Sequence, residues 1–286
     1  MLSISCFLLP IFLNEMALDS VTIPLALCSF SCYNKQEESE DKHMEIWDLY
    51  DQDRNLTGET AVRGEPLPQG RYHLVVHALF LNSKGETLLQ RRAREKDIMP
   101  DIWSVAGGSA VAGEDSFTAC LREAEEEMGF APDKSRARLL MTELRDRPNR
   151  GFFRDVWLFY QDVPIESMTW QPGEVQDGMW ILPEKIKDDP KLWNDVNEMY
   201  FWPKAYPYLC LESMRVRIPQ GVYRHYKGKR YEVQGLALHS ETLEPMVIYK
   251  ALYGPGEIWT RPAQMWNEEV TLPDGEKTLR FRRESL

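Results

Sequence analysis

Apolar and polar positions alternate in short runs from Met44 onward, and the period changes several times along the chain. EIWDLYDQDRNLTGE, from Glu45, reads as a strand, a polar turn and a second strand. RYHLVVHALFLNSKGETLLQRRA follows as a long apolar strand, a turn at Asn82 to Gly85, and a return strand over Thr87 to Gln90. The period then becomes helical. Asp115 is placed to cap a helix that stops at Gly129, and Phe117, Leu121, Ala124 and Met128 make its apolar stripe. ARLLMTEL, RDVWLFYQDV and GMWILP return to the strand pattern. Pro183 opens a helical piece, and DVNEMYFWPKAYPYLCLESM reads as a closing helix broken near Pro203 or Pro207.

Around Ser213 to Pro219 the composition shifts. Residues 219–283 alternate over short runs punctuated by Gly and Pro, the pattern of a small all-β unit of four or five strands. At the other end, the apolar runs CFLLPIFL and VTIPLALCSF are each too short to span a bilayer, and no Lys or Arg precedes Lys35. The expected organisation is a leader over 1–43 outside the fold, with Met44 as the natural start, an α/β domain over 44–212, and a β domain over 213–286. A weak membrane anchor is the competing reading of the leader.

With 286 residues, 43% hydrophobic and 28% charged, the chain has ample material for a packed core. Its net charge of -11 argues against bulk electrostatic binding of nucleic acid, while leaving room for a single nucleotide. The 5 cysteines show no disulfide-like spacing, and Cys6, Cys28 and Cys32 fall in the leader. That pattern points to a reduced, cytoplasmic setting without membrane association.

Candidate chemistry concentrates in GGSAVAGEDSFTACLREAEEEMGF. From Gly108 it fits G-x5-E-x7-R-E-U-x-E-E-x-G-U through Glu114, Arg122, Glu123, Glu126, Glu127, Gly129 and Phe130, with Ala124 small for the first apolar position. Glu123, Glu126 and Glu127 share a helix face at a cost of a few tenths of a kcal/mol per like-charged pair. A glutamate run alone is ordinarily a solvated face. Such an oxygen cluster also suits a hard divalent cation that keeps waters and bridges to phosphates. Arg122 is placed to fix a carboxylate by a charge-assisted pair, and Gly107 and Gly108 would let backbone approach a phosphorylated ligand.

This stretch resembles the Nudix box, the signature of the Nudix hydrolase superfamily. The resemblance implies an α/β/α sandwich with a mixed sheet and a Mg2+-dependent hydrolase of a small-molecule diphosphate, with Mn2+ as a substitute. It implies metal ligation by Glu123, Glu126, Glu127 and Glu114, and catalysis by Glu126 or Glu127 with Arg122. Substrate contacts would come from Gly107, Gly108, Arg91 and Arg92, and an extra carboxylate from Glu174, with Asp177 competing. The residues before the box are similar to the branch containing isopentenyl-diphosphate isomerase. That enzyme needs a cysteine and a histidine where this chain has Gly107 and Ser109, so hydrolysis is the expected chemistry. A non-catalytic ligand-binding module of the same fold is the rival. Residues 219–283 resemble a small bacterial domain of unknown function.

Other groups carry weaker signals. His73 and His77, four apart in a strand, share one face and read as core histidines before metal ligands. Arg91, Arg92, Arg94 and Lys96 form a basic run that would clamp an anion or line a solvated loop. From Tyr223 to Tyr231, aromatic and basic residues mix; they offer a stacking surface for a nucleotide or oligonucleotide, or ordinary strand faces with snorkelling cations.

Overall fold

The computed structural model describes residues 44–284, so the expected leader over 1–43 lies outside the described residues. The first elements are β1 (Ile46–Tyr50), β2 (Leu56–Val62), β3 (Tyr72–Leu81), β4 (Thr87–Arg92), β5 (Trp103–Ser104) and β6 (Ala106–Ser109). After them come α1 (Ser116–Met128), β7 (Arg138–Arg145), β8 (Gly151–Tyr160), β9 (Val175–Ile181), α2 (Pro183–Asp188), α3 (Pro190–Asn197) and α4 (Trp202–Arg217).

β1 to β9 form one mixed sheet with β3 at its centre. β3 runs parallel to β8 over its full length and antiparallel to β6, with Val76 opposite Gly108 and His77 opposite Gly107. Strand alternation sends Leu74, Val76, Ala78 and Phe80 into a core with Ala119, Cys120, Ala124 and Met128 of α1. Leu79 and Leu81 face the other way, onto Val196, Phe201, Trp202, Ala205 and Leu209. The result is an α/β/α sandwich.

α1 begins and ends where its residues dictate. The Asp115 carboxylate accepts from the Thr118 N–H at 2.7 Å, and Gly129 adopts φ 72° while its N–H donates to the Glu125 carbonyl at 2.8 Å. A Cβ at Gly129 would also lie 2.7 Å from Thr169 Cβ, so both conformation and space require glycine. The buried stripe differs from the expected one. Ala119, Cys120, Ala124 and Met128 are buried, whereas Phe117 and Leu121 are only partly so, because small residues let the helix sit close to β3 and β6.

The expected break falls just before Pro203: α3 ends at Asn197, and the chain turns through residues 198–201 before α4 begins. α4 is one helix from Trp202 to Arg217, with Pro203 in the first turn and Pro207 inside. Pro203 falls where an N–H has no helical partner, and Pro207 forgoes only the bond back to the Pro203 carbonyl. The helix passes through position 213 unbroken and serves two cores. Trp202, Ala205 and Leu209 pack on the large sheet, while Met214, with Ile218 just beyond the helix, packs on the C-terminal unit. Ser213 Oγ donates to the Gly85 carbonyl at 2.5 Å, fixing the β3–β4 turn to the helix.

The C-terminal unit comprises β10 (Gly221–His225), β11 (Arg230–Leu238), β12 (Pro245–Ala251), β13 (Ile258–Pro262), α5 (Ala263–Trp266), β14 (Glu269–Thr271), β15 (Lys277–Leu279) and β16 (Phe281–Arg283). The expected four or five strands form an antiparallel sheet ordered β13-β12-β11-β10-β16, and β14 and β15 add a separate two-stranded ribbon. Its core centres on Trp266, fully buried and stacked on Phe281 at 3.8 Å.

Candidate active site

The face of α1 that turns toward β6 and the end of β4 carries the acidic cluster. Arg122 is its hub. Its Nε and Nη2 donate to Glu114 at 2.8 and 3.0 Å, and its Nη1 donates to Glu123 and Glu126, each at 3.0 Å. Nη2 also reaches the Ser109 carbonyl at 3.1 Å, tying the helix to β6. Glu114 further accepts from the Val111 N–H at 3.0 Å. Burial alone would raise the Glu114 carboxyl, but the Arg122 and Val111 bonds outweigh it and hold it below the usual range. The three carboxylates around Arg122 favour its charged form.

Glu123 and Glu127 have a different environment. The Glu127 side chain is 5% exposed and accepts only from neutral donors, Gln90 Nε2 at 2.8 Å and the Gly107 N–H at 3.1 Å. Burial raises its carboxyl to about 8; the Gln90 bond partly offsets this and the neighbouring Glu123 adds to it. Burial likewise lifts Glu123 to about 7, against the pull of Arg122. Two adjacent turns of one helix thus store acidic groups without full counter-charge. Glu126 is the exposed member, with a side chain 49% accessible.

The glycines before the helix are needed for another reason than the one expected. A Cβ on Gly108 would lie 2.3–2.5 Å from the Glu123 carboxylate, and one on Gly107 would lie 2.3 Å from the Val76 carbonyl oxygen. The close approach is therefore made by the protein's own Glu123 and β3, where the sequence suggested a ligand.

Arg91 and Arg92 are committed to a loop. Arg91 pairs with Asp101 at 3.0 Å, while Arg92 donates from Nε to the Met99 carbonyl at 3.1 Å and from Nη2 to the Ile98 carbonyl at 3.0 Å. Strand alternation puts Leu88 in the core under α1 and Leu89 in the opposite core, so Gln90 faces Glu127 and Arg91 faces away from it. Glu174 is ion-paired with Lys96. Its loop is docked on the end of α1, where the Gln171 N–H donates to the Glu127 carbonyl at 3.1 Å. Asp177 caps its own neighbour, accepting from the Gly178 N–H at 2.8 Å, and sits opposite Arg91 in the β4–β9 pairing.

His73 and His77 project from the other face of β3 as stacked core rings. His73 lies 4.1 Å from Trp47 and His77 lies 4.4 Å from Phe201, centroid to centroid. Burial depresses them to about 4 and 3, so both are neutral. The metal role weighed for them finds no support in this packing.

Gln90 is the site residue the sequence did not reveal. It lies 37 positions from Glu127, and only the packing of α1 on the folded sheet brings the two together. Asp48 is a second: its Oδ2 accepts from the Gly113 N–H at 2.7 Å and fastens the turn before α1 to β1.

Among the described residues, no three His, Cys, Asp or Glu side chains converge tightly enough to enclose a metal as they stand. The donor chemistry nevertheless fits a hard divalent cation. Such an ion takes one or two carboxylates and completes its shell with water and substrate phosphates. Glu123 and Glu127 would supply those carboxylates, and burial is what raises their pKa values.

A sequence profile of the NUDIX domain matches residues 71–202, and a profile for a protein of unknown function, DUF1653, matches residues 221–283. An uncharacterized Nudix hydrolase of Listeria monocytogenes is 38% identical over 145 residues, 50% of this chain and 83% of that protein. An isopentenyl-diphosphate Delta-isomerase of Paenarthrobacter aurescens is more distant, 31% identical over 41% of this chain and 64% of its own length. A solved DUF1653 protein of Bordetella bronchiseptica is 42% identical, covering 22% of this chain and 83% of that one with a TM-score of 0.21. The chain belongs to the Nudix hydrolase family, and it carries a DUF1653 domain after the hydrolase fold.

Proposed function

We propose that this protein is a metal-dependent hydrolase that cleaves the diphosphate linkage of a nucleoside-diphosphate-type or related small molecule. Mg2+ is the cofactor and Mn2+ its substitute. The observation that carries this reading is the pair of buried carboxyls, Glu123 and Glu127, held beside Gly107 and Gly108 without full counter-charge. Glu123, Glu126 and Glu127 would hold the cation, with Glu114 as a further ligand, and a cation bound there would supply charge neutralisation of phosphate oxygens and a lowered pKa for water.

The remaining work falls to the chain's own groups. Glu127, fixed by Gln90 and Gly107, takes the proton of the attacking water; Glu126 is the alternative base. As water oxygen bonds to phosphorus, the bond from phosphorus to the bridging oxygen breaks and two phosphorylated products, or one and phosphate, leave. Arg122 positions Glu114, Glu123 and Glu126. Arg91 and Arg92 hold the loop at 98–101, Arg92 supplies positive charge on the substrate side, and Glu174 is the extra carboxylate once Lys96 releases it. Gly107 and Gly108 keep the strand close enough to α1 for these contacts.

Among the described residues no helix is long and apolar enough to cross a membrane. A cytoplasmic setting belongs to this proposal.

The test is product release across a panel of nucleoside diphosphate derivatives, with and without Mg2+ and Mn2+. Cation-dependent cleavage of at least one compound is expected. Tight binding with no product under either cation would make the chain a ligand-binding module. Proton exchange into isopentenyl diphosphate would instead reveal an isomerase.

A further inference from the structure

The β10–β11 turn, the β12–β13 turn and the start of β16 meet at one end of the C-terminal sheet. The Tyr226 N–H donates to the Arg280 carbonyl and the Leu252 N–H to the Arg230 carbonyl, each at 3.0 Å. Tyr231 is the centre of this end. Its ring lies 5.4 Å from Tyr253, 5.5 Å from Tyr249, 5.7 Å from Phe281 and 6.5 Å from His225, and its hydroxyl contacts that of Tyr253 at 2.8 Å. The outer rings are open to solvent: Tyr226 is 37% and Tyr253 40% exposed.

Cations surround these rings. Lys229 Nζ stands 4.4 Å from the Tyr253 centroid, Lys227 Nζ 5.5 Å from Tyr226, and Arg261 Cζ 5.7 Å from Phe281. Arg224 and Arg230 share the single carboxylate of Glu284, and Arg280 pairs with Glu268. Lys227, Lys229 and Arg261 have no carboxylate partner among the described residues. His225 feels the surplus: burial first, then Arg280, Arg261 and Lys227, hold it below its usual range. In a chain of net charge -11, this end is a local reversal of sign built on an aromatic floor.

We propose that this end of the C-terminal sheet is a platform for single-stranded nucleic acid, with bases stacking on Tyr226 and Tyr253 and phosphates meeting Lys227, Lys229 and Arg261. Exposed rings accept the π-face of any base, and unpaired cations alongside them track a phosphate backbone. A mononucleotide needs enclosure on several sides, whereas rings spread over an open face reward a chain that makes its contacts in series. Duplex hides its base faces and brings a denser phosphate array against a net negative protein.

The experiment is fluorescence anisotropy of the full chain with labelled short oligothymidylate, oligouridylate and a duplex of the same length, at low and raised salt. Single strands are expected to bind and duplex not to, with three phosphates neutralised and a log–log salt slope of about -2. Lys227→Glu with Lys229→Glu should weaken binding at least about tenfold, and Tyr253→Ala roughly fivefold or more. Lys227→Arg with Lys229→Arg should bind as the parent does, separating loss of charge from loss of fold. Equal binding of duplex, indifference to both the Glu and the Ala variants, or equal competition by a mononucleotide would overturn the proposal. So would loss of strand binding in Glu127→Gln, which would place the strand in the hydrolase site instead.

Discussion

Glu127 and Lys229 show how differently the two units of this chain treat charge. Glu127 is buried on α1 with neutral donors only, so its carboxyl is held protonated until about pH 8. Lys229 lies over an exposed tyrosine ring at the far end of the small sheet, where water screens it. A buried, under-compensated acid suits chemistry, because adding a cation and a substrate relieves a local cost. A displayed cation suits capture, because it gives up little on binding. Burial alone separates the two proposed roles, turnover and docking, and among the described residues α4 is the helix packed in both cores.

The sharpest way to break the comparison is at Glu127. Glu127→Gln keeps the hydrogen-bonding shape but cannot take a proton, and should cut kcat by about 10^2–10^4-fold while the metal-free protein melts no lower than the parent, since the neutral amide removes the cost of ionising a buried carboxyl. Wild-type rates in that variant would refute the assignment. Next comes Trp266, whose removal should cost about 3–5 kcal/mol in the C-terminal core. Hydrolysis by the folded fraction should survive; a proportional fall in kcat/KM would show that α4 transmits the damage. Gly107→Ala should cost about 1–3 kcal/mol, since its Cβ meets the Val76 carbonyl. Gly108→Ala should instead displace the flexible Glu123 carboxylate, sparing the melting temperature and weakening Mg2+ binding as read by calorimetry.

The smallest effect is the dependence of stability on pH. Unfolded glutamates release protons near 4.5, whereas Glu123 and Glu127 in the fold do so near 7 and 8. Above 4.5 the folded state therefore binds more protons, and stability falls as pH rises toward 8. Neutral His73 and His77 act oppositely, since unfolded imidazoles bind protons below 6.5, but that contribution is complete above 6.5. Between 6.5 and 8 the metal-free chain should lose about 1–2 kcal/mol. Millimolar Mg2+ should flatten the decline by binding the deprotonated carboxyls. Thermal melts in chelator and in Mg2+ that run parallel across this window would count against the buried pair as metal ligands.

Much of the catalytic unit was legible because its signals are local. Asp115, Gly129 and the i, i+3, i+4 spacing of the glutamates act within a few turns of one helix, and the β3–β4 hairpin is set by its own turn residues. The failures have a common cause. Phe117 and Leu121 do pack against the core, partly buried, but the sequence did not reveal Ala119 and Cys120, which the close packing of α1 on β3 buries fully. Of the two prolines offered for the break, Pro203 marks it, since α3 ends at Asn197 and α4 starts at Trp202, whereas Pro207 sits inside an α4 held between two cores. Arg91 and Arg92 looked alike, yet strand alternation sends one away from Glu127.

By itself the sequence determined the family, the acidic helix with its two caps, and the presence of a separate β pattern after position 213. Each depends on neighbours in the chain. Only the tertiary structure decided that Gln90 holds Glu127, that Gly108 makes room for Glu123, and that Tyr226, Tyr253 and three cations without a carboxylate partner among the described residues meet at one sheet end. Those juxtapositions are fixed by strand register and helix packing across tens of residues, where the spacing of letters along a chain carries no distance information.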